Sequence, residues 1–586
     1  MSTLPRRSGA PLGAALLGLL LASTPAAAQT ANDRCPATTG GPMPLAYVGP
    51  PTTAAITACD LMTRLYIFAD DSMMGRQVGT RYNDMGTDYI EREVRRLGLV
   101  PAGEGGTFFQ KVPVFSRSFD STSTLRVGGT TFTGGRDFTA TINGASFSLD
   151  GAPVVFGGVA GDTLNLLPAG AAAGKVVVQV APERPMRFRA MTPGLQAYLA
   201  SQEGALAVVT VVGDALPVQR GFGNRPSYLD PDAPEGAGAA GRANVSVTTA
   251  VGTALLGQAP SGMALGAAGR PVSMALRFHQ EPLPGRNVVA MLPGSDPQLR
   301  NQYILIGAHN DHVGFRQGGL PHDSVKAFNM VFRQQGADSR GIGVPSEAQW
   351  AEINAKIDSM RKVHPVRIDS ISNGADDDGS GSVSLLEVAE AFATAAERPK
   401  RSMLFIWHAG EEAGLWGSRF FSDHPSVPRE AIVGAINIDM VGRGAATDVT
   451  GQTSEGALIR GGDGYLQLVG SRRLSTELGD LAEAVNVRGK YGLRFDYALD
   501  ADGHPQNIYC RSDHYEYARY GIPVVFFTTG GHADYHQVTD EPQYIQYRHM
   551  AQISTYIHDL AMTLANLDHA VVVDKPKPDP FGGCRQ

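Results

Sequence analysis

The sequence predicts an α/β chain: a mostly parallel central sheet with helices on both faces, plus an inserted β-rich segment. Three observations carry that reading. Near-continuous apolar runs ("RNVVAML", "QYILIGA", "SMLFIWHA", "AIVGAINI", "IPVVFFTT") follow one another from about Pro284, as strands covered on both faces do. Helical patterns lie between them, the clearest being "SGSVSLLEVAEAFATAAE". Finally, His, Asp and Glu collect just past the ends of these runs, where open α/β sheets bind ligands.

Taken in chain order, the N-terminus reads as an export signal over 1–28. Arg6 and Arg7 precede the short apolar core "LGAALLGLLLA", and "AAAQ" offers cleavage after Ala28. That run is too short to span a bilayer and no later one is long enough, so the expected product is periplasmic or secreted, with no integral membrane association. Four cysteines, Cys35, Cys59, Cys510 and Cys584, permit disulfides in an oxidising compartment. Three pairings remain open. With 586 residues, 43% hydrophobic and 18% charged, the chain can build two or three globular cores. Its net charge of −7 lacks the basic footprint of a nucleic-acid partner.

Residues 29–118 carry helical spacing in "ITACDLMTRLYIFAD" and in "RYNDMGTDYIEREVRRLGL", which ends at Gly98. Residues 119–283 change character, with short β-like runs such as "STLRVGGTTFTGG" and "APVVFGGV" split by Gly-rich turns. "GKVVVQVAP", "GLQAYLASQEG" and "ALAVVTVV" read as strand, helix and strand, and Gly213 to Arg270 as loops and edge strands. Residues 284–570 form the α/β part, and 571–586 an irregular tail.

The chemistry lies at the strand ends. After "YILIGA" come His309 and Asp311; after "MLFIWHAG", Glu411 and Glu412; after "AIVGAINI", Asp439; after "IPVVFFTT", a loop with Tyr535 and His536. Ahead of the long helix, "GADDDGSG" supplies Asp376, Asp377 and Asp378. Two histidines and several carboxylates without cysteine suit a pair of zinc ions with nitrogen and oxygen ligands. Such a pair acidifies water towards a hydroxide nucleophile. One carboxylate must then stay unliganded to carry the proton to the leaving amine.

The set "AHND", "GADDDGSG", "GEEAGLWGS", "NIDMVGR", "SDHYEYARYGIP" and "YHQVTDEP" resembles the secreted di-zinc exopeptidases that include bacterial leucyl aminopeptidase, aminopeptidase Y and glutamate carboxypeptidase. The resemblance runs from about Asn287 to Leu567. It implies a zinc-peptidase fold and two zinc ions per chain, one held by His309 and Asp439, the other by Glu412 and His536, with Asp377 bridging them. It makes Glu411 the general base beside a zinc-bridging hydroxide, and Tyr535 a stabiliser of the oxyanion. Asp311 would orient His309 through its other ring nitrogen, and Asp378 would share a strained peptide with Asp377. Residues 119–283 resemble the protease-associated (PA) domain inserted in that family. The implied reaction is removal of N-terminal residues from peptides. A carboxypeptidase of the glutamate-releasing type stays open because Arg316, Arg443, Arg494 and Arg511 lie near the motifs. A non-catalytic binding protein on the same scaffold is disfavoured, since no ligand position is lost.

Other features invite plainer readings. His312 reads as a polar loop residue, because a strand-end loop would not align it with His309 as a helical turn would. His408 reads as a hydrogen-bonded core residue, His514 as structural or pocket-lining, and His322 and His364 as solvated. Ser380 reads as a helix cap. The stretch between Asp311 and Asp377 is much longer than a ligand loop needs, and Ser346 with Gln349 marks a helix inside it. That insertion, at about 315–372, is expected to overhang the site.

Overall fold

The computed structural model describes residues 35–39, 43–141, 146–182, 193–216, 226–228, 242–339 and 343–586. The expected signal peptide lies outside them. All five expected strands form, as Arg286–Leu292, Tyr303–His309, Ser402–His408, Ile432–Ile438 and Val524–Thr528. Ser402–His408, Tyr303–His309, Ile432–Ile438 and Val524–Thr528 lie side by side in that order, all parallel.

The flanks differ from the expectation of a mostly parallel sheet. Arg286–Leu292 runs antiparallel to Ser402–His408, and Tyr465–Val469 antiparallel to Val524–Thr528. The link from Leu292 to Tyr303 holds no crossover helix, so Arg286–Leu292 runs opposite to Tyr303–His309 and to Ser402–His408, which lies between them. Tyr465–Val469 and its parallel neighbour Arg494–Asp496 add strands that the sequence reading did not contain.

Side chains alternate between two cores, which explains why the strands are apolar throughout. Ile304, Ile306, Phe405, Trp407, Ile436 and Ile438 face a core shared with Ala58–Phe68, Gly381–Thr394 and Tyr547–Asn566. Leu305, Leu404, Ile406 and Ala435 face the opposite side, with residues of Trp416–Asp423 and His514–Ala518. The early helices are joined to this body by charge. Arg64, buried on Ala58–Phe68, meets Glu93 at 2.7 Å, and also pairs with Glu387 and Glu390 of Gly381–Thr394.

Between Val114 and Pro282 two further sheets enclose their own core, to which Leu125, Val178, Val209, Val245 and Met274 contribute. One holds Val154–Val159, Val176–Val180, Ala207–Val211 and Ala243–Val247 in parallel, with Phe138–Thr141 antiparallel at the edge. The strand–helix–strand reading holds here, its helix being Pro193–Ser201. Ala243–Val247 corrects the expectation of edge strands. It is an internal strand, because Val245 and Val247 point into the shared core. The other sheet is antiparallel around Val272–Pro282.

The disulfides are Cys35–Cys59 and Cys510–Cys584. Among the described residues, no helix is long and apolar enough to cross a membrane. The insertion leaves and returns through a two-stranded neck, Phe315–Pro321 against Ile368–Ile371. It carries the helices His322–Val331 and Glu347–Met360, the latter opened by the expected Ser346–Gln349 capping box.

Candidate metal centre

His309 ends its strand, and in the neighbouring parallel strand its partner is His408. The next turns therefore rise on the same edge. His309 Nε2 lies 3.3 Å from Asp377 Oδ1 and 3.6 Å from Asp439 Oδ1. His536 Nε2 lies 2.9 Å from Asp377 Oδ2 and 2.9 Å from Glu412 Oε2. The five residues expected as metal ligands thus converge as two donor groups that share Asp377. Glu411 belongs to neither group, and its Oε2 is 4.0 Å from His309 Nε2.

Three adjacent acids do three different things. Asp376 accepts the Gly442 backbone N–H at 2.7 Å and faces His532 Nε2 at 3.2 Å. Asp377 enters the centre. Asp378 accepts backbone N–H groups from His309, Gly381 and Met440 at 2.9–3.1 Å. Asp378 therefore caps the Gly381–Thr394 helix; Ser380, expected in that role, instead donates to Asp376 O and accepts from Val441 N. The Asp377–Asp378 peptide is cis.

Asp311 also departs from its expected contact. His309 Nδ1 is 3.1 Å from the Asp311 backbone oxygen but 3.7 Å from its carboxylate. That carboxylate accepts the N–H groups of Gly410 (2.8 Å) and Glu411 (3.1 Å). It fixes the turn carrying the glutamate pair, because a buried carboxylate holds where donors face it.

The centre is strongly acidic. Burial holds the Glu411 carboxyl well above the usual range, with Asp439 and Glu412 adding to the rise while His309 opposes it. Burial would raise Asp377 as well, but His309 and His536 outweigh it and hold the group well below. Burial would lower His536, yet Glu412 and Asp377 push it up to about 11.

The donor set fits metal ions. His309 Nε2, Asp377 Oδ2, Glu412 Oε1 and His536 Nε2 are all buried without a hydrogen-bond partner. Buried polar atoms left this way carry a full desolvation cost. Imidazole nitrogens mixed with carboxylate oxygens are zinc-type donors.

Two residues that the sequence reading passed over belong here. His312, expected as a polar loop residue, is buried, with Nδ1 2.7 Å from Glu412 Oε1. The loop aligns it after all, because Gly374 (φ +59°) leaves room: a Cβ there would sit 2.5 Å from His312 Cγ. Arg76 is fully buried and donates to the backbone carbonyls of Phe68, Asn310, Asn373 and Gly374. It thereby ties the His309–His312 loop to the Asp377 loop. Burial lowers its guanidinium to about 10. Nothing in "MMGRQVG" signals that task.

The remaining histidines divide. His408 is buried, 2.6 Å from Tyr517 Oη and 3.2 Å from Asp513. His514 stacks on Phe526, and burial drives it down to about 3. His322, expected in solvent, is instead buried 2.7 Å from Glu541.

Tyr535 shares one cavity with Asp377, Glu411 and Asp439, and its hydroxyl accepts from Arg511 at 3.3 Å. The insertion supplies the facing wall through Gln335 and Asp338. The Ala337 N–H donates to Tyr535 O at 3.0 Å, and Gly336 (φ +52°) lies so close that a Cβ would be 2.5 Å from that oxygen. Of the four arginines named above, Arg511 alone lines this cavity among the described residues. Arg443 is buried against Asp534 at 2.9 Å, Arg316 is exposed on the neck, and Arg494 is exposed over the Tyr465 ring.

Fold and site define the class: an α/β protein carrying two adjoining metal-type donor groups joined by one carboxylate. Residues 287–561 match the model of Peptidase family M28. Among curated relatives, Leupeptin-inactivating enzyme 1 of Streptomyces exfoliatus is 38% identical over 78 residues, 13% of this chain and 18% of that protein. A probable leucine aminopeptidase of Arthroderma otae is 34% identical over 111 residues, 18% of this chain and 30% of that protein. The chain thus spans less than a third of either relative. Among solved structures, an aminopeptidase from Aneurinibacillus sp. aligns at 18% identity and TM-score 0.43, over 89% of this chain and 97% of that one. A zinc aminopeptidase from Bacillus subtilis aligns at 15% and 0.44, over 89% and 99%.

Proposed function

We propose that the chain is an exported, zinc-dependent exopeptidase that removes N-terminal residues from peptides. The observation that carries this reading is Asp377 standing in both donor groups with Glu411 beside them but in neither. His309, Asp377 and Asp439 would hold one zinc ion, and Asp377, Glu412 and His536 the other. Bound there, zinc supplies Lewis-acid polarisation of a carbonyl oxygen and acidifies water. Glu411 takes the proton of the attacking water and returns it to the departing amine. Tyr535, which accepts from Arg511 and lines the same cavity, would face the carbonyl oxygen as it gains charge.

The free amino end is the better fit to this cavity. Its one arginine is already paired with Asp338 at 2.7 Å, so among the described lining residues no unpaired cation awaits a terminal carboxylate. A carboxypeptidase reading rests on Arg511 alone. Two disulfides and the basic-then-apolar N-terminus support export. We read 119–283 as an inserted unit of the protease-associated type, on the strength of its separate core and its strand–helix–strand order.

The test is hydrolysis of matched peptides with a free, an N-acetylated or a C-amidated terminus, together with metal analysis. Free and C-amidated peptides should be cut and N-acetylated ones spared, with two zinc ions per chain. Glu411→Gln should keep the metal and lose about 10²–10⁴ in turnover. Cleavage that requires a free C-terminus would overturn the aminopeptidase reading. Loss of metal in Glu411→Gln but not in Glu412→Gln would reverse the two roles.

A further inference from the structure

The centre is not symmetric. On one side stand His309, Asp377 and Asp439; on the other Asp377, Glu412 and His536, with the buried His312 beside them. His312 Nδ1 is 2.7 Å from Glu412 Oε1 and 3.7 Å from Asp377 Oδ2. Its ring stands edge-on to that of His536, with centroids 5.4 Å apart. The 2.7 Å approach is not directed as a hydrogen bond, so Nδ1, Nε2 and Glu412 Oε1 are all left without a partner. An imidazole with no solvent and no hydrogen bond is costly unless something else satisfies it.

We propose that His312 is a fourth protein ligand of the Glu412–His536 site, which makes the two sites unequal. This rests on the preceding reading that the centre holds zinc. Four donors meeting at zinc bond lengths of about 2.0–2.2 Å stand about 3.3–3.6 Å apart in a tetrahedron. Glu412 meets His312 through Oε1 at 2.7 Å and His536 through Oε2 at 2.9 Å, and Asp377 Oδ2 lies 2.9 Å from His536 and 3.7 Å from His312, separations that bracket that value. A site with four protein donors is of the closed, structural type, whereas three donors leave a position for water or substrate. The His309–Asp439 side then offers the open position, and the His312 side grips its ion more tightly. A hydrogen bond from His312 that merely steadied Glu412 would leave the second ring nitrogen and the unaligned Nδ1 unexplained.

The test is Co²⁺ loading of metal-stripped protein, followed by proton NMR of the exchangeable imidazole N–H signals shifted by the ion. Three such signals are expected in the unaltered protein, from His309, His312 and His536, and two in His312→Ala. Two signals in the unaltered protein would overturn the assignment, whether or not the variant folds. Zn²⁺ titration against a chromophoric chelator should show two steps, of which His312→Ala weakens the tighter by at least about tenfold. His309→Ala should instead weaken the looser one. A protein that binds no cation at all would defeat the proposed function itself. Binding with two imidazole signals would defeat only the role of His312.

Discussion

Asp338 and Arg511 form an ion pair, Oδ2 to Nη1 at 2.7 Å, that joins the inserted segment to the wall of the Glu411 cavity. Asp338→Asn removes the partner and leaves the arginine charge facing the cavity. Peptides with an acidic N-terminal side chain should then gain roughly tenfold in kcat/KM, about 1.4 kcal/mol, while apolar ones change little. A panel of aminoacyl anilides checks this, and an unchanged acidic-to-apolar ratio speaks against Arg511 as a determinant of preference.

Gly336 packs against Tyr535, where an added Cβ would lie 2.5 Å from the Tyr535 backbone oxygen. A side chain there meets both a positive φ and the Tyr535 backbone, so Gly336→Val should push the insertion away from the site at a cost of about 1–3 kcal/mol. Hydrogen exchange should quicken over His322–Val331 and stay unchanged in Ser402–His408. Equal protection in both would mean that the contact is loose.

Glu541 holds the insertion by its root, accepting from Arg367 and meeting His322 Nε2 at 2.7 Å. Burial would raise its carboxyl, but His322 and Arg367 outweigh that and keep it below the usual value. A carboxylate with a lowered folded pKa binds fewer protons folded than unfolded. Its stabilisation is therefore complete above the unfolded pKa of about 4.3 and lost as pH falls through the folded one. Acid below about pH 4.3 should loosen the insertion first. Glu541→Gln should remove that acid step and cost about 1.5–3 kcal/mol at neutral pH, as read by thermal melts at several pH values.

Cys510–Cys584 fastens the tail two residues ahead of Ser512, whose hydroxyl donates to Asp439 Oδ2 at 2.7 Å. Replacing both cysteines by serine should cost about 2–4 kcal/mol of stability. It should also weaken metal binding at the His309–Asp439 side more than at the Glu412–His536 side. Equal loss at both sides would mean that Ser512 keeps its place without the tail.

What could be read from the sequence was what repeats or ends sharply. The five apolar runs became strands because both faces are buried, and the acids and histidines beyond them met because parallel neighbours end on one edge. His312 was missed because its orientation depends on Gly374, more than sixty residues away in the chain. Arg76 was missed because its partners are backbone carbonyls, which leave no mark in side-chain pattern. The carboxylate of Asp311 was placed in the wrong contact for a related reason: its true donors, the N–H groups of Gly410 and Glu411, belong to another strand's turn. Tyr465–Val469 was missed because a short run with a central glutamine has no clear period.

The two-stranded neck has an evolutionary consequence. Ser372 N–H donates to Gly314 O at 3.0 Å, so the chain departs and re-enters at nearly one point. Whatever is spliced between those residues leaves Asp311 and Asp377 where they are. The neck is a grafting point: a segment of different length or charge could replace the Gln335 and Asp338 wall of the cavity while both ends of the splice keep their places.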